Sequence, residues 1–424
     1  MATALTGQQV GASGTYYDDA LKNFYLPVIK EQFQKKSVLY MNVEKSAKGL
    51  DAEGRYLRGT VSKAGTSGIG AKPEGYILPT KGYERLEEFT VYMKYNYGRI
   101  EVSGPLMRAS RSNKGALAKA FTRETKSATL GLRRDVNRQL FGNGEGKLCL
   151  ANGSASSTTL TVDSLMGLGY TSPTATASPL AATKYLNTGV ELDLGDSTTY
   201  TTIDVDSVTV STKDSSTAAT LVSNSSTWDD NAFVMRADAA ASEIMGLRGI
   251  IDDNSTGGLT TLQNINRSTS DNSYWNASMI DTGSITAPTA ISDDLMQEAI
   301  STSEENEGEV GLLVCNFQLR DSIAGLLVGD KRFVNTLELK GGFKGITWND
   351  KPIVADTDCM PYYLFAVDFN TMYNAESMPV GWMDDDGAIL HRVTNYDAFE
   401  ATLRLYSNFY TDRPVSNACL SFVQ

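Results

Sequence analysis

The period of the apolar residues along this chain changes several times, and each change marks an element. Residues 1–14 are small and polar and read as a mobile arm. Tyr17, Leu21, Phe24, Tyr25, Val28 and Phe33 then recur at spacings of three and four, the signature of one helical face. Pro27 lies among them and breaks or kinks that helix, because its ring removes a hydrogen bond and crowds the preceding turn. From Arg55 the period shortens to two. Phe89, Val91, Met93, Tyr95 and Tyr97 alternate with Thr90, Tyr92, Lys94 and Asn96, as in a strand with one apolar face. With Tyr56, Thr60 and Val61 on the outgoing side and many glycines between, residues 55–104 predict a long β-hairpin with a flexible tip over 64–83. So few core residues occupy the tip that the arm needs a cover, for which a second copy of the chain is the expected source.

A helical period returns over residues 113–141, which predict one helix of about eight turns. Leu117, Phe121, Ala128, Leu132, Val136 and Leu140 form its apolar stripe, and Lys119, Arg123, Lys126, Arg133, Arg134 and Arg138 fall elsewhere. That basic face suits either solvent or an interior holding nucleic acid. Residues 151–235 are poor in charge and rich in Ser, Thr and Ala. Strand patterns at 160–162, 190–194 and 203–210, divided by turn clusters, predict a small antiparallel β-domain. Residues 236–424 alternate short helices (295–303, 317–327) with apolar strands (310–314, 352–354, 363–367, 398–405), an α+β pattern.

Composition narrows the class. At 424 residues, 41% hydrophobic and 21% charged, the chain has material for two or three globular domains. The first residues carry neither the basic nor the apolar region of a secretory signal, and no apolar run nears the roughly 18 residues that cross a bilayer, so no membrane partner is expected. Cys149, Cys315, Cys359 and Cys419 are far apart and form no C-x-x-C pair, which points to buried free thiols. The net charge of −12 hides an asymmetry. Residues 1–147 carry 24 Lys and Arg against 14 Asp and Glu, a net of +10, which leaves −22 for the rest of a chain holding 38 basic and 50 acidic residues. Because the basic residues are interleaved with acids, the split favours contact between copies, one copy's basic segment on another's acidic one, over a nucleic-acid tract.

The chemistry of an enzyme is missing. His391 is the one histidine, in a strand-like Ala-Ile-Leu-His-Arg-Val, and neither a histidine metal site nor a catalytic triad can be built on it. Gly142 to Lys147 is one residue short of a phosphate loop, lacks the following Ser or Thr, and comes after a helix instead of before one. Gly65 to Gly70 reads as turns. Asp384-Asp385-Asp386 and the pair Asp356 and Asp358 could hold a hard cation, but their spacing matches no calcium loop and both read as solvated acidic turns. The expectation is a protein that is not an enzyme, with no catalytic, cofactor-binding or metal residue.

The order of elements, together with the phrases Glu243-Ile-Met-Gly-Leu-Arg-Gly-Ile-Ile-Asp252 and Leu337-Glu-Leu-Lys-Gly-Gly-Phe-Lys-Gly-Ile-Thr-Trp-Asn-Asp-Lys-Pro-Ile-Val-Ala-Asp356, resembles the major capsid proteins of tailed bacteriophages with the Hong Kong 97 fold. The resemblance spans nearly the whole chain but rests on architecture more than on signature residues. It implies an α+β fold divided as follows: 1–50, an N-terminal arm with a broken helix; 51–105, an extended loop; 106–150, the spine helix of a peripheral domain. Residues 151–235 would be an inserted β-domain, 236–299 a peripheral-domain connection, 300–385 an axial domain and 386–424 C-terminal strands returning to the peripheral domain. It further implies self-assembly into hexamers and pentamers of an icosahedral virion head around double-stranded DNA, built in a bacterial cytoplasm. A separate scaffolding protein, a portal and a decoration protein would be partners. Some members join the extended loop to a neighbour through Lys and Asn; Lys63, Lys72 and Lys81 lie near the tip, without a flanking motif for that chemistry. An encapsulin-type nanocompartment would share the fold, and the Ser/Thr-rich β-domain would also suit an adhesin or carbohydrate-binding protein.

Overall fold

The computed structural model describes residues 37–43, 51–52, 55–66, 68–105, 114–167, 182–199, 201–224, 226–254, 258–284, 287–329, 337–338, 344–385 and 387–424. The expected mobile arm and broken helix lie outside the described residues, as does Asp386. The chain divides into two compact units, one of residues 1–42, 94–138 and 376–407, the other of 43–93, 139–375 and 408–424.

In the first unit the strand Lys94–Ser103 pairs antiparallel with Ala398–Ser407 over ten residues. One face of this pair is apolar: Ile100, Val102, Ala401, Leu403 and Leu405 are buried. A Cβ added to Gly98 would lie 3.6 Å from Leu132 Cβ, so the helix Lys114–Gln139 packs on that face. Leu132 and Val136 of the expected stripe are buried, while the side chains of residues 114–123 fall outside the description. Lys126 and Arg134 are exposed as the basic face requires, but Arg138 is not. It is 1% exposed and sits on Asp135, one turn back, at 3.1 Å. A carboxylate three residues away lets a guanidinium enter the core, which the charge pattern alone does not reveal.

Besides the two-stranded pair Thr261–Leu262 and Ile265–Asn266, the second unit holds three sheets among the described residues. The predicted hairpin is formed by Tyr56–Ala64 and Arg85–Tyr92 in antiparallel register, Tyr56 opposite Tyr92 and Ser62 opposite Leu86. The expectation of one strand from Phe89 to Tyr97 is corrected. The strand ends at Tyr92, Met93 outside it still donates its N–H to Arg55 O at 3.0 Å, and Lys94 opens a strand that belongs to the other unit. Phe89, Val91 and Met93 are buried, yet Tyr95 and Tyr97 are 44% and 53% exposed.

The low-charge region closes into a six-stranded antiparallel barrel ordered Phe233–Arg236, Lys147–Ala151, Thr159–Asp163, Ala218–Leu221, Ile203–Lys213, Glu191–Gly195 and back to the first. Closure removes the free edges that an open sheet of such short strands would expose. Leu148, Leu160, Leu192, Leu194, Trp228 and Val234 fill it, all drawn from the same stretch of sequence. The barrel begins at Lys147, ahead of the expected 151, and three of its strands carry no clear alternation.

One barrel residue opposes its surroundings. Asp163 is 6% exposed and neither carboxylate oxygen accepts a hydrogen bond. Burial first, and the nearby Asp230 second, push its carboxyl up to about 6. A raised carboxyl binds its proton more tightly in the folded than in the unfolded chain, so stability falls as pH rises from about 4 to about 6 and stays lowered above. Asp163→Asn removes the titration. The variant is expected to be about 1–3 kcal/mol more stable than the parent at pH 7.5 and to lose that advantage below about pH 4, read from urea midpoints across pH.

The third sheet has seven strands in the order Ser278–Asp281, Ala418–Ser421, Tyr363–Val367, Leu312–Cys315, Lys351–Ala355, Lys344–Trp348 and Leu337–Glu338. The first two strands pair in parallel, as do Leu312–Cys315 and Lys351–Ala355. Every residue of Tyr363–Val367 is buried, as in a central strand covered on both faces. The helix Asp293–Glu305 starts on Ser292, whose hydroxyl accepts from Leu295 N, with Asp293 and Asp294 in its first turn. Its Met296, Ala299 and Ile300 join Leu319 and Ile323 of the helix Phe317–Gly329 in the core of the sheet.

Candidate functional site: the hairpin and its exposed tip

The base of the hairpin is anchored, and its tip is not. Leu57, Phe89 and Val91 pack with Leu262, Ile265, Trp275 and Tyr410 in one buried cluster. The Phe89 ring lies 5.9 Å from that of Trp275 and 6.2 Å from that of Tyr410. Trp275 is held from below: its Nε1 donates to Leu262 O, and its own carbonyl accepts from Arg267 Nε at 3.1 Å. Arg267 also donates to Gly249 O at 2.8 Å and Ile250 O at 2.7 Å, and its Nη1 stands 3.9 Å from Asp252. Asp252 pairs with Arg248 at 3.0 Å and accepts from Leu259 N. Both arginines and the aspartate are at least nine-tenths buried. Burial pulls Arg267 down to about 10; burial is also the largest single effect on Arg248 and lowers it, but Asp252, Tyr363 and Cys419 together leave Arg248 raised.

This network explains the phrase Glu243 to Asp252. Leu247 N donates to Leu140 O, and a Cβ on Gly246 would stand 2.4 Å from Gln139 O and 2.6 Å from Gly142 O. Only glycine permits that approach of two backbones. The phrase therefore ties the residues after the long helix to the floor beneath the hairpin.

Lys63 completes the anchor. Its Nζ donates to Asn272 Oδ1 at 2.7 Å and lies 3.0 Å from Asp271 and 3.2 Å from Glu87. Tyr274 OH donates to the same Glu87 at 2.8 Å. The hydrogen bond to Asp271, chief among the causes, raises the pKa of Lys63, which favours its ammonium form. Lys63 beside an asparagine is an ion-paired strut at the root of the arm.

Between Ala64 and Arg85 the described residues form no helix or strand. Ile69, Tyr76, Ile77, Leu78, Tyr83 and Leu86 are all more than 60% exposed. Lone exposed apolar side chains are ordinary, but six within eighteen residues of one arm make it the densest run of large exposed apolar residues among those described. Lys72 and Lys81 are exposed beside them. The tip folds across itself, because a Cβ on Gly68 would lie 2.7 Å from Gly82 N.

The residues considered for chemistry are not gathered into a site. His391 lies opposite Glu400 in a two-residue strand. Lys147 is held by Glu145 at 2.5 Å in the turn after the long helix, so the glycines there (Gly144 φ 81°, Gly146 φ 93°) frame an internal ion pair. The acidic turns are not simply solvated. Asp356 is 6% exposed and accepts from Asp358 N, while Asp358 accepts from Tyr185 OH at 3.0 Å and pairs with Lys184 at 3.1 Å. Asp385 takes both Nη atoms of the buried Arg404, at 2.6 and 2.7 Å, and that bond lowers its pKa. The four cysteines are free and buried. Barrel closure brings Asp196, Asp204 and Asp229 together, the one such acidic group among the described residues, and Asp196 is already engaged by Thr198 and Thr199. Sequence separations of up to 33 residues hid that meeting. No helix among the described residues is long and apolar enough to cross a membrane.

No family model and no curated protein matches the sequence. Solved structures do. A chain of the cyanophage A-1(L) capsid asymmetric unit superposes with a TM-score of 0.54 at 10% identity, covering 90% of this chain and 93% of that one. The capsid of an empty GTA particle gives 0.45 at 11% identity, covering 92% and 90%. An encapsulin complex from Synechococcus elongatus gives 0.28 at 13% identity and covers only 34% of this chain and 53% of its own. The first likeness, end to end on both chains, shows the fold: this chain has the Hong Kong 97-like α+β fold of a phage capsid subunit.

Proposed function

We propose that this chain is the major capsid subunit of a tailed phage, a structural protein without catalytic function that assembles with copies of itself, as hexamers and pentamers, into an icosahedral head around double-stranded DNA. The observation that carries the reading is a hairpin tip whose large apolar side chains stand exposed among the described residues, on a fold shared over nine-tenths of its length with a phage capsid chain. A two-stranded arm gains its stability from whatever covers its tip, and a shell of repeated copies supplies one cover per arm. The +10 and −22 parts of the chain give those copies complementary potentials for encounter and register. Interior contact with DNA would be non-specific, through the exposed Lys126 and Arg134 of the long helix. In this reading residues 51–105 are the extended loop, 106–150 the spine helix, 151–235 the insertion and 300–385 the axial domain. A scaffolding protein, a portal and a decoration protein are further partners, the virion is the location, and assembly takes place in a bacterial cytoplasm.

Electron microscopy and sedimentation of the purified full chain, alone and with a scaffolding protein encoded beside it, test the proposal. Closed particles or isolated hexamers are the expected products. A chain that stays monomeric at every concentration, with and without the scaffold, sinks it.

A further inference from the structure

The barrel is joined to the rest of the second unit along one side and fastened to it at another. Its core is drawn from its own stretch of sequence and is separate from the cluster that fills the seven-stranded sheet. The chain enters through Lys147–Ala151 and leaves through Phe233–Arg236, and these two strands pair with one another, Met235 opposite Lys147. Both crossings therefore run side by side, which is how a hinge is built. The connector that follows is irregular. Asp238 and Ala241 have φ of 59° and 55°, and Ala241 N donates to Glu145 O at 3.1 Å.

The second attachment is polar. On the turn Ala182–Tyr185, Lys184 Nζ donates to Thr357 O and lies 3.1 Å from Asp358, while Tyr185 OH donates to Asp358 Oδ1 at 3.0 Å. The Tyr185 ring packs on the barrel core and lies 5.0 Å from Lys184 Nζ, so both groups are carried by the barrel and reach across to the sheet. The loop they meet follows the strand Lys351–Ala355 and is held from its own side: Asp356 N donates to Cys315 O at 3.0 Å, and Asp358 N to Asp356 Oδ1 at 2.9 Å. Lys184 is one-third open to water, so this attachment can break without opening either core. Next to Asp358 comes Cys359, which is 4% exposed. Burial, the largest effect, raises its thiol well above the ordinary value, and Lys184 acts against it, which puts the ammonium near the thiol.

We infer that the barrel is a hinged arm turning about its paired strands at residues 147 and 236, and that Lys184 and Tyr185 on the 356–358 loop are the catch that holds it against the seven-stranded sheet. Opening the catch uncovers Cys359 and leaves both cores intact. The inference concerns a single chain and does not depend on the shell reading.

The full chain carrying Lys184→Met and Tyr185→Phe is compared with the parent, each as the dilute, unassembled protein. Both substitutions keep the apolar body of the side chain, and neither residue is fully buried, so the fold is retained. Each sample is treated with a maleimide, labelled cysteines are identified by peptide mass spectrometry, and amide hydrogen exchange is followed in parallel. The expected result has three parts: Cys359 labels at least tenfold faster in the variant, exchange over residues 237–242 speeds up with it, and Cys149 in the barrel core keeps the parent's rate. Direct electrostatics has the opposite sign, since removing a cation raises the thiol further and slows its reaction. Equal rates at Cys359 overturn the catch. Faster labelling with unchanged exchange over 237–242 means that the loop loosens while the barrel stays in place, which overturns the hinge. Cys149 rising in step with Cys359 means that the barrel unfolds instead of turning, and overturns it as well.

Discussion

Asp252→Ala is expected to lower the stability of the full chain by about 3–5 kcal/mol, the cost of removing one partner from a buried ion pair. The cause is what remains. Arg248 at 7% exposure and Arg267 at 2% would keep two guanidinium groups in the core with no carboxylate between them. Asp252 also accepts from the backbone N–H groups of Leu259 and Asn254, and both of these bonds are lost with it. The loss reaches the hairpin, because Arg267 supports the Trp275 carbonyl and Trp275 supports Phe89. Hydrogen exchange should therefore speed up at Phe89 and Val91 together with the 247–267 region, ahead of the barrel, whose core is its own. The control is Asp271→Asn at the Lys63 strut. Asp271 is 67% exposed, and an ion pair open to water leaves the urea midpoint unmoved within error. Equal midpoints for the parent and Asp252→Ala would show that the two arginines find other partners and that the network does not hold the floor.

The hairpin and the long helix could be read from sequence because each repeats one period for long enough to outweigh its exceptions. The end of the hairpin strand could not. Alternation continues through Met93 to Tyr97 without a break, and what changes is the partner strand, which lies some 300 residues away in the sequence. Period reports which residues share a face and is silent on what that face meets. Short strands escaped for a different reason: Ala218–Leu221 has four residues, too few for alternation to stand out from a Ser/Thr-rich background. The buried charges were hidden by distance and by proximity alike. Asp252 and Arg267 stand fifteen residues apart and meet only after the chain doubles back, whereas Arg138 has its aspartate one turn away and so looked like any solvated helical pair. The open tip was the most legible part of the hairpin: an apolar segment set among glycines with no strand to pair with is expected to stay exposed, and its large apolar side chains are more than 60% exposed in the folded chain.

The double substitution Ile77→Asp with Leu78→Asp should abolish assembly and spare the subunit. In the folded chain these side chains are 84% and 81% exposed, so replacing them removes no internal packing, and the thermal midpoint should stay within about 1 °C, as for surface positions away from structural features. In the proposed shell the sign reverses. Burying an Ile or Leu side chain is worth about 1.5–3 kcal/mol each, so each tip contact forfeits about 3 kcal/mol or more, a factor of at least roughly a hundred in pairwise affinity. Two carboxylates placed in an apolar contact add a desolvation cost in the same direction. A closed shell repeats the contact once per copy, which makes the loss cooperative: the concentration at which particles appear should rise beyond the reach of purified protein instead of shifting gently. Light scattering against concentration, with calorimetry on the same samples, separates the two effects. A variant that assembles at the parent's concentration would show that the tip lies outside the contacts between copies, and the apolar arm would then need a partner of another kind.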